Sequence, residues 1–245
     1  MAHSYLITQL LDRVFGPAIT ALLNLIGIHP ADPAYPINDT YALELTVAAC
    51  LILFFIVVRV TLSVEKPGAA QQIAEMIHEF SGSHADQIIG GHNWQRFQPF
   101  TTCVFLFIVL NNLLGLIPGI VTPTSNPVVP LGIAVCTFIY YNFYGFKEQG
   151  FVGYLKHFAG PIWWIAPLLF PIEIISNLAR VMSLTIRLYA NMFASDLVTL
   201  VFFSLVPVGV PVIFLGLHAG VSLIQAYVFM LLSMIYLGIA TAHEH

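Results

Sequence analysis

Apolar residues in this chain fall in long blocks, not in the alternating or one-sided patterns of water-soluble strands and helices. Residues 41–62 form the first block, closed by Arg59; residues 97–120 form a second, preceded by Arg96; residues 131–146 form a shorter third, closed by Lys147. Each approaches the roughly 20 apolar residues that a helix needs to cross a hydrocarbon layer about 30 Å thick. Residues 161–206 and 208–242 are far longer, and they meet at "VPVGVP", where Pro207, Gly209 and Pro211 turn the chain. At about 1.5 Å per residue the last tract extends roughly 50 Å. Upright, it overshoots the bilayer, so the two long helices are expected to form a strongly tilted antiparallel hairpin.

The polar segments fill in the rest. Residues 68–90 carry Glu75, His78, Glu79 and Asp86 between apolar positions and read as an amphipathic helix outside the bilayer. Residues 4–28 are apolar but broken by Asp12 and Arg13, without the basic leader of a cleaved signal, and read as a helix lying on the membrane surface, with a further span as the alternative. "HPADPAYP" is an extended connector, "PGIVTPTSNPVVP" an uncharged turn and "GFKEQGFVGYLKHFAGP" a Gly-rich loop. The expected fold class is an all-α integral membrane protein of about five transmembrane helices with surface amphipathic helices. The expected domains are residues 1–40, a surface helix and connector, and residues 41–245, one membrane domain.

Composition strengthens this picture: of 245 residues 58% are hydrophobic and 8% charged, where a soluble domain has about 25% charged residues. A net charge of −4, dispersed along the chain, does not imply nucleic-acid binding, and no nucleic-acid partner is expected. Cys50, Cys103 and Cys136 lie singly in apolar runs and are expected to be small buried hydrophobes. His78, His84, His92, His243 and His245 lack metal-ligand spacing and are expected in solvent, so neither metal nor cofactor is implied. There is no HExxH, GxSxG or phosphate-cradling P-loop, so nothing points to an enzyme. Arg59, Lys66 and Arg96 border one loop and Lys147 and Lys156 lie in another, while the turn after the second span and "VPVGVP" carry no charge. Five spans with the N-terminus outside and the C-terminus in the cytoplasm satisfy this distribution.

The chemistry lies in the ionisable residues of the two long tracts, Glu173, Arg180, Arg187, Asp196 and His218. A charge at the bilayer centre costs about 2.5–3.5 kcal/mol on insertion scales, so these residues are expected to line protein or water. Seven residues advance a helix by about 700°, nearly two full turns. Glu173, Arg180 and Arg187 therefore share one stripe, which Asn191 extends, while Asp196 faces the other way. On the last tract His218, Ser222 and Gln225 share a face, with Tyr236 close to its line. Counted from the turn, Asp196 and His218 fall at similar depth, where a carboxylate beside an imidazole can pass a proton near neutral pH. Each residue also has a plain structural reading. Arg187 and Arg180 can serve as ion-pair partners, Asp196–His218 as a buried hydrogen bond, and Gln225, Ser222, Asn111 and Asn112 as interhelical hydrogen bonds. Tyr236 reads as an interfacial aromatic.

"SLTIRLYANMFASD", together with "NLLGLIPG", "GYLKHFAGP", "PIEIIS", "GLHAGVSLIQAYVFMLLSMIYL" and the final "EH", resembles subunit a of F-type ATP synthases in order and over nearly the whole chain. The resemblance implies a non-catalytic, proton-translocating stator subunit in a bacterial inner membrane. Its implied partners are a ring of c subunits, each with a mid-membrane carboxyl group, peripheral-stalk b subunits, the whole F1Fo complex and lipid. It implies that Arg187 is the essential arginine facing the ring, with Asn191 beside it. Asp196, His218 and Asn112 then belong to an outer half-channel. Glu173, Arg180, Gln225, Ser222 and Tyr236 belong to an inner half-channel or polar stripe. The chain departs from the family pattern at Ala190 and Ser195, where Gly is usual, and at Gly115, an acid in some members. It also lacks the Asp and Thr often found after Pro123–Thr124. The rival reading is a stand-alone ion-coupled transporter or channel, for which the internal repeat that such folds often carry is missing.

Overall fold

The computed structural model describes residues 8–9, 11–13, 16, 20, 38–90, 94–117, 119–159, 166–205 and 209–241, all of its regular structure being helical. The helices run α1 Asp39–Val60, α2 Ala69–Ile89, α3 Trp94–Leu114, a 3-10 turn Pro123–Ser125, α4 Val128–Ala159, α5 Ala166–Leu205 and α6 Val210–Thr241. Five of the described helices are long and apolar enough to cross a membrane: residues 39–60, 94–114, 128–148, 167–205 and 211–241. The chain is a multi-pass membrane protein.

Two compact units are present, Met1–Ile56 and Val57–His245. In the first, the Thr8 hydroxyl donates to Asp39 in the opening turn of α1, where a carboxylate also complements the helix dipole. The surface helix expected over 4–28 falls mostly outside the described residues, of which Thr8, Gln9, Leu11–Arg13, Gly16 and Thr20 are helical. The connector 29–36 lies outside them entirely.

In the second unit α3 and α6 pack together, α5 lies against α4 and α6, and α2 docks on α3 and α6. The core between the spans is Ile108, Ala134, Val181, Leu184, Leu188, Met192, Ala226 and Phe229. These positions recur at three- and four-residue steps along α5, which is why one stripe of that helix is buried. The loop before α2 is clasped by Gln71, whose amide bonds both the N–H and the carbonyl of Ser63 at 3.0 and 3.1 Å. α2 is pinned in turn by Gln98 of α3. The Gln98 amide nitrogen reaches the His78 carbonyl at 2.6 Å and the Ser81 hydroxyl at 3.1 Å, and the missing side chain of Gly82 gives it room.

Several expectations change. The segment read as a Gly-rich loop is helical to Ala159, broken only at Gly150, whose φ of 72° is left-handed. Gly145 sits within the helix, where glycine costs about 1 kcal/mol but does not by itself end a helix. The second span stops at Leu114 rather than at residue 120 and closes with i→i+3 bonds from Gly115, Leu116 and Ile117. The three cysteines are exposed on the surface of the chain, not buried. In a bilayer the outer surface is as apolar as the core, so an apolar setting does not separate the two. Two histidines expected in solvent have partners: the Tyr227 hydroxyl lies 3.0 Å from His84 Nε2, and Gln98 lies 3.2 Å from His78 Nδ1. His92, His243 and His245 lie outside the described residues.

Candidate functional site

α5 presents two unlike faces. On one, Arg187 is exposed, and its side-chain contact is with the Ser183 hydroxyl one turn away, at 3.4 Å. Among the described residues it has no carboxylate partner: Glu173 pairs with Arg180 at 3.8 Å, and Asp196 is engaged elsewhere. Its helical neighbours Ser183, Ala190 and Ala194 are small and exposed. The whole helix is sparsely covered. Only 11% of its most apolar stretch is buried within the chain, against 33–44% for the other spans of the unit.

On the opposite face, Asp196 points into the protein. The Thr122 hydroxyl donates to Asp196 Oδ1 at 2.7 Å and the Thr122 backbone N–H donates to Oδ2 at 3.2 Å. His218, 1% exposed, brings Nδ1 to 3.7 Å from Asp196 Oδ1. That nitrogen is in closer contact with the Ser195 hydroxyl, at 2.7 Å. The other, Nε2, faces the backbone carbonyl of Asn112 at 3.3 Å. A carbonyl only accepts, so Nε2 carries the hydrogen of the neutral ring and Nδ1 is the basic nitrogen. Asn112 is held on both sides. Its Oδ1 accepts from Thr124 at 2.6 Å and its Nδ2 donates to the Ser222 carbonyl at 3.4 Å. Ser222 turns its own hydroxyl to the Met192 sulfur at 3.8 Å. A cavity of about 340 Å³ opens beside Asp196, walled by Gly115, Ile120, Val121, Thr199 and Leu215. Asp196 and Thr199 are the polar side chains in its otherwise apolar wall.

Toward the start of α5 lies a second polar group. Asn177, buried, accepts from the Tyr141 hydroxyl at 3.0 Å and donates to the Glu173 carbonyl at 3.2 Å. The Arg180 guanidinium lies 5.3 Å from the centroid of Tyr236, a cation–π contact. Along the helix Arg187 stands between the two groups, about 21 Å from Glu173 and about 14 Å from Asp196 at 1.5 Å per residue.

The structure thus brings together Asp196, His218, Asn112 and Ser222, and separately Glu173, Arg180 and Tyr236. Arg187 joins neither. Asn191 and Gln225 are half-buried without hydrogen-bond partners among the described residues. The pairs Ser195–His218, Met192–Ser222 and Arg180–Tyr236 step antiparallel along α5 and α6, which sets Gln225 level with Leu188, beside Arg187. Asn111 bonds the Phe107 carbonyl of its own helix, and its buried Oδ1 is unsatisfied. Thr122, Thr124, Ser195 and Gly115 were not distinguishable in the sequence as members of the site. Their one signal is the departure of Ser195 and Gly115 from the pattern that the resemblance implies.

Comparison with known proteins gives a consistent result. The family profile described as ATP synthase A chain matches residues 40–238. An "ATP synthase subunit a" of Koribacter versatilis (strain Ellin345) is 48% identical over 245 residues, covering 100% of both chains. One of Solibacter usitatus (strain Ellin6076) is 43% identical over 234 residues, 96% of this chain and 99% of that one. One of Trichlorobacter lovleyi is 37% identical over 245 residues, again 100% of both.

Proposed function

The chain belongs to the ATP synthase A chain family, and from that premise we propose that it is the proton-conducting stator subunit of a rotary ATP synthase. The observation that carries this reading is Arg187, an exposed cation without an ion-pair partner among the described residues, in the least covered membrane helix. A guanidinium facing lipid is expensive, and small neighbours allow another helix to come close. A ring of c subunits carrying carboxyl groups meets both conditions.

In this reading a proton enters from outside through the cavity beside Asp196, passes by way of Asp196 and His218 and neutralises a ring carboxylate, which then travels into lipid. After nearly a full turn that carboxyl discharges through an inner half-channel, with Glu173 as the exit group, Arg180 and Tyr236 beside it and Gln225 further along the stripe; Ser222, expected on that stripe, belongs instead with Asn112 in the outer group, because the Asn112 amide donates to its carbonyl. Arg187 and Asn191 face the ring between the two paths. A guanidinium is not deprotonated in proteins, so Arg187 relays nothing. Its charge favours the ionised form of each passing carboxylate by roughly 4 kcal/mol at about 4 Å and an effective dielectric near 20, before desolvation. The membrane potential supplies about 2.3 kcal/mol per 100 mV for each charge that crosses. The length of α5 and α6 accommodates a tilted pair along the curved side of the ring. ATP chemistry then resides elsewhere in the complex, which b subunits brace, and the chain sits in the bacterial inner membrane with its N-terminus outside.

Arg187→Ala tests the reading. The assembled complex is expected to lose ATP-driven pumping and coupled synthesis while its membrane becomes leaky to protons. Intact coupled synthesis in that variant refutes the role. Purified chain in liposomes, without the ring, is expected to conduct nothing; robust ion flux there favours the transporter or channel reading.

A further inference from the structure

Asp196 and His218 stand 3.7 Å apart, beyond the reach of a hydrogen bond. Each is held instead by an uncharged hydroxyl. We propose that Thr122 and Ser195 are the positioning residues of this proton path: Thr122 clamps the carboxylate of Asp196, and Ser195 caps the basic nitrogen of His218.

The clamp is rigid. Thr122 is 1% exposed and gives one donor to each oxygen of Asp196, which fixes the plane of the carboxylate. Its own carbonyl accepts from both the hydroxyl and the N–H of Ser125, at 2.7 and 3.0 Å, in the turn that follows. Opposite lies Gly115, where a Cβ would stand 1.9 Å from the Thr122 hydroxyl. The hydroxyl therefore occupies space that only glycine leaves free.

The cap serves both states of the ring. With Nε2–H donated to the Asn112 carbonyl, the Ser195 hydroxyl donates to neutral Nδ1. When Nδ1 takes a proton the same hydroxyl rotates and accepts from it, since a serine oxygen does either. In the transfer step the O–H bond of protonated Asp196 breaks as Nδ1–H forms, once the pair closes to hydrogen-bond distance. The carboxylate left behind meets the two donors of Thr122, a charge-assisted arrangement. The imidazolium meets the oxygens of Ser195 and Asn112. The proton then leaves Nδ1 to water or to a rotor carboxylate, and the ring is neutral again. No other reactant is consumed.

This inference rests on the proposed role of Asp196 and His218, so its test includes Asp196→Asn. Coupled ATP-driven pumping and ATP synthesis are measured on the intact complex in membrane vesicles, per assembled complex. Thr122→Val, which keeps the shape and removes the hydroxyl, is expected to slow both about tenfold, as loss of a hydrogen bond to a charged group does. Thr122→Ser should recover at least half of the rate. Ser195→Ala should slow them several-fold. In an Asp196→Asn background neither Thr122→Val nor Ser195→Ala should add more than about twofold, because Thr122 acts through that carboxylate and Ser195 serves the transfer to His218 that starts from it. Full activity in Thr122→Val, or equal slowing with and without the Asp196 carboxylate, overturns the clamp. Should Thr122→Val fail to assemble, Ser195→Ala in the two backgrounds decides the matter in the same way. Wild-type rates in Asp196→Asn itself overturn the proton path and the clamp together, whereas slow Asp196→Asn with fast Thr122→Val sinks only the clamp.

Discussion

Replacing Gly115 by alanine adds one methyl group to the most crowded point of the site. The new carbon would stand 1.9 Å from the Thr122 hydroxyl oxygen and 3.1 Å from both Thr122 Cβ and His218 Nε2. Comfortable non-bonded separations are about 3.5–4.0 Å, so the hydroxyl must retreat by roughly 1.6 Å. Its 2.7 Å bond to Asp196 does not survive such a displacement. A hydrogen bond to a charged group is worth about 1.5–3 kcal/mol, and overpacking a tight interior costs about 1–3 kcal/mol. The second cost falls on stability and the first on the position of Asp196. At about 1.4 kcal/mol per factor of ten, proton transfer at Asp196 should slow about tenfold to a hundredfold. The assay is ATP-driven acidification of inverted vesicles, with the quantity of assembled complex measured in parallel. Adding Thr122→Ala to Gly115→Ala removes the clash but not the lost bond, so it should restore assembly without restoring rate. Wild-type pumping by Gly115→Ala at normal assembly refutes the reasoning, because the methyl group would then fit without disturbing Thr122.

Two further outcomes concern stability. Tyr227→Phe deletes the 3.0 Å bond to His84 that ties α6 to α2, and should lower the thermal midpoint of the complex by an amount equivalent to about 0.5–1.5 kcal/mol, with pumping retained; an unchanged midpoint counts against the tie. Gln98→Leu removes the donor that holds the His78 carbonyl and the Ser81 hydroxyl, so amide hydrogens along α2 should exchange faster while those of α6 near Ser222 do not. Uniform exchange rates across both helices would speak against a local pin.

How much of this was legible beforehand follows from physics that is local or not. The spans were readable because a bilayer demands apolar runs of a set length. The stripe of α5 was readable because seven-residue spacing returns nearly to the same face, and Glu173 and Arg180 do meet at that spacing. The stretch from residue 145 to 160 misled because glycine content marks flexibility without saying where a helix breaks; among its described residues only Gly150 adopts a left-handed φ. The cysteines misled because lipid is as apolar as a protein core. Thr122 was invisible for a different reason. A threonine in an uncharged turn is commonplace, and its partner Asp196 lies 74 residues away. Ser195 likewise needed the position of His218, 23 residues on and across a turn.

The bareness of α5 has a consequence for how the protein is made. A chain that leaves so much of its 40-residue helix unwrapped, with a permanent cation amid the bare stretch, is at its least comfortable when alone. Water or headgroups must be dragged inward to solvate the guanidinium until a companion surface replaces them. The drive to assemble is therefore written into the helix itself: on the proposed reading, the subunit gains most when a companion surface covers that face.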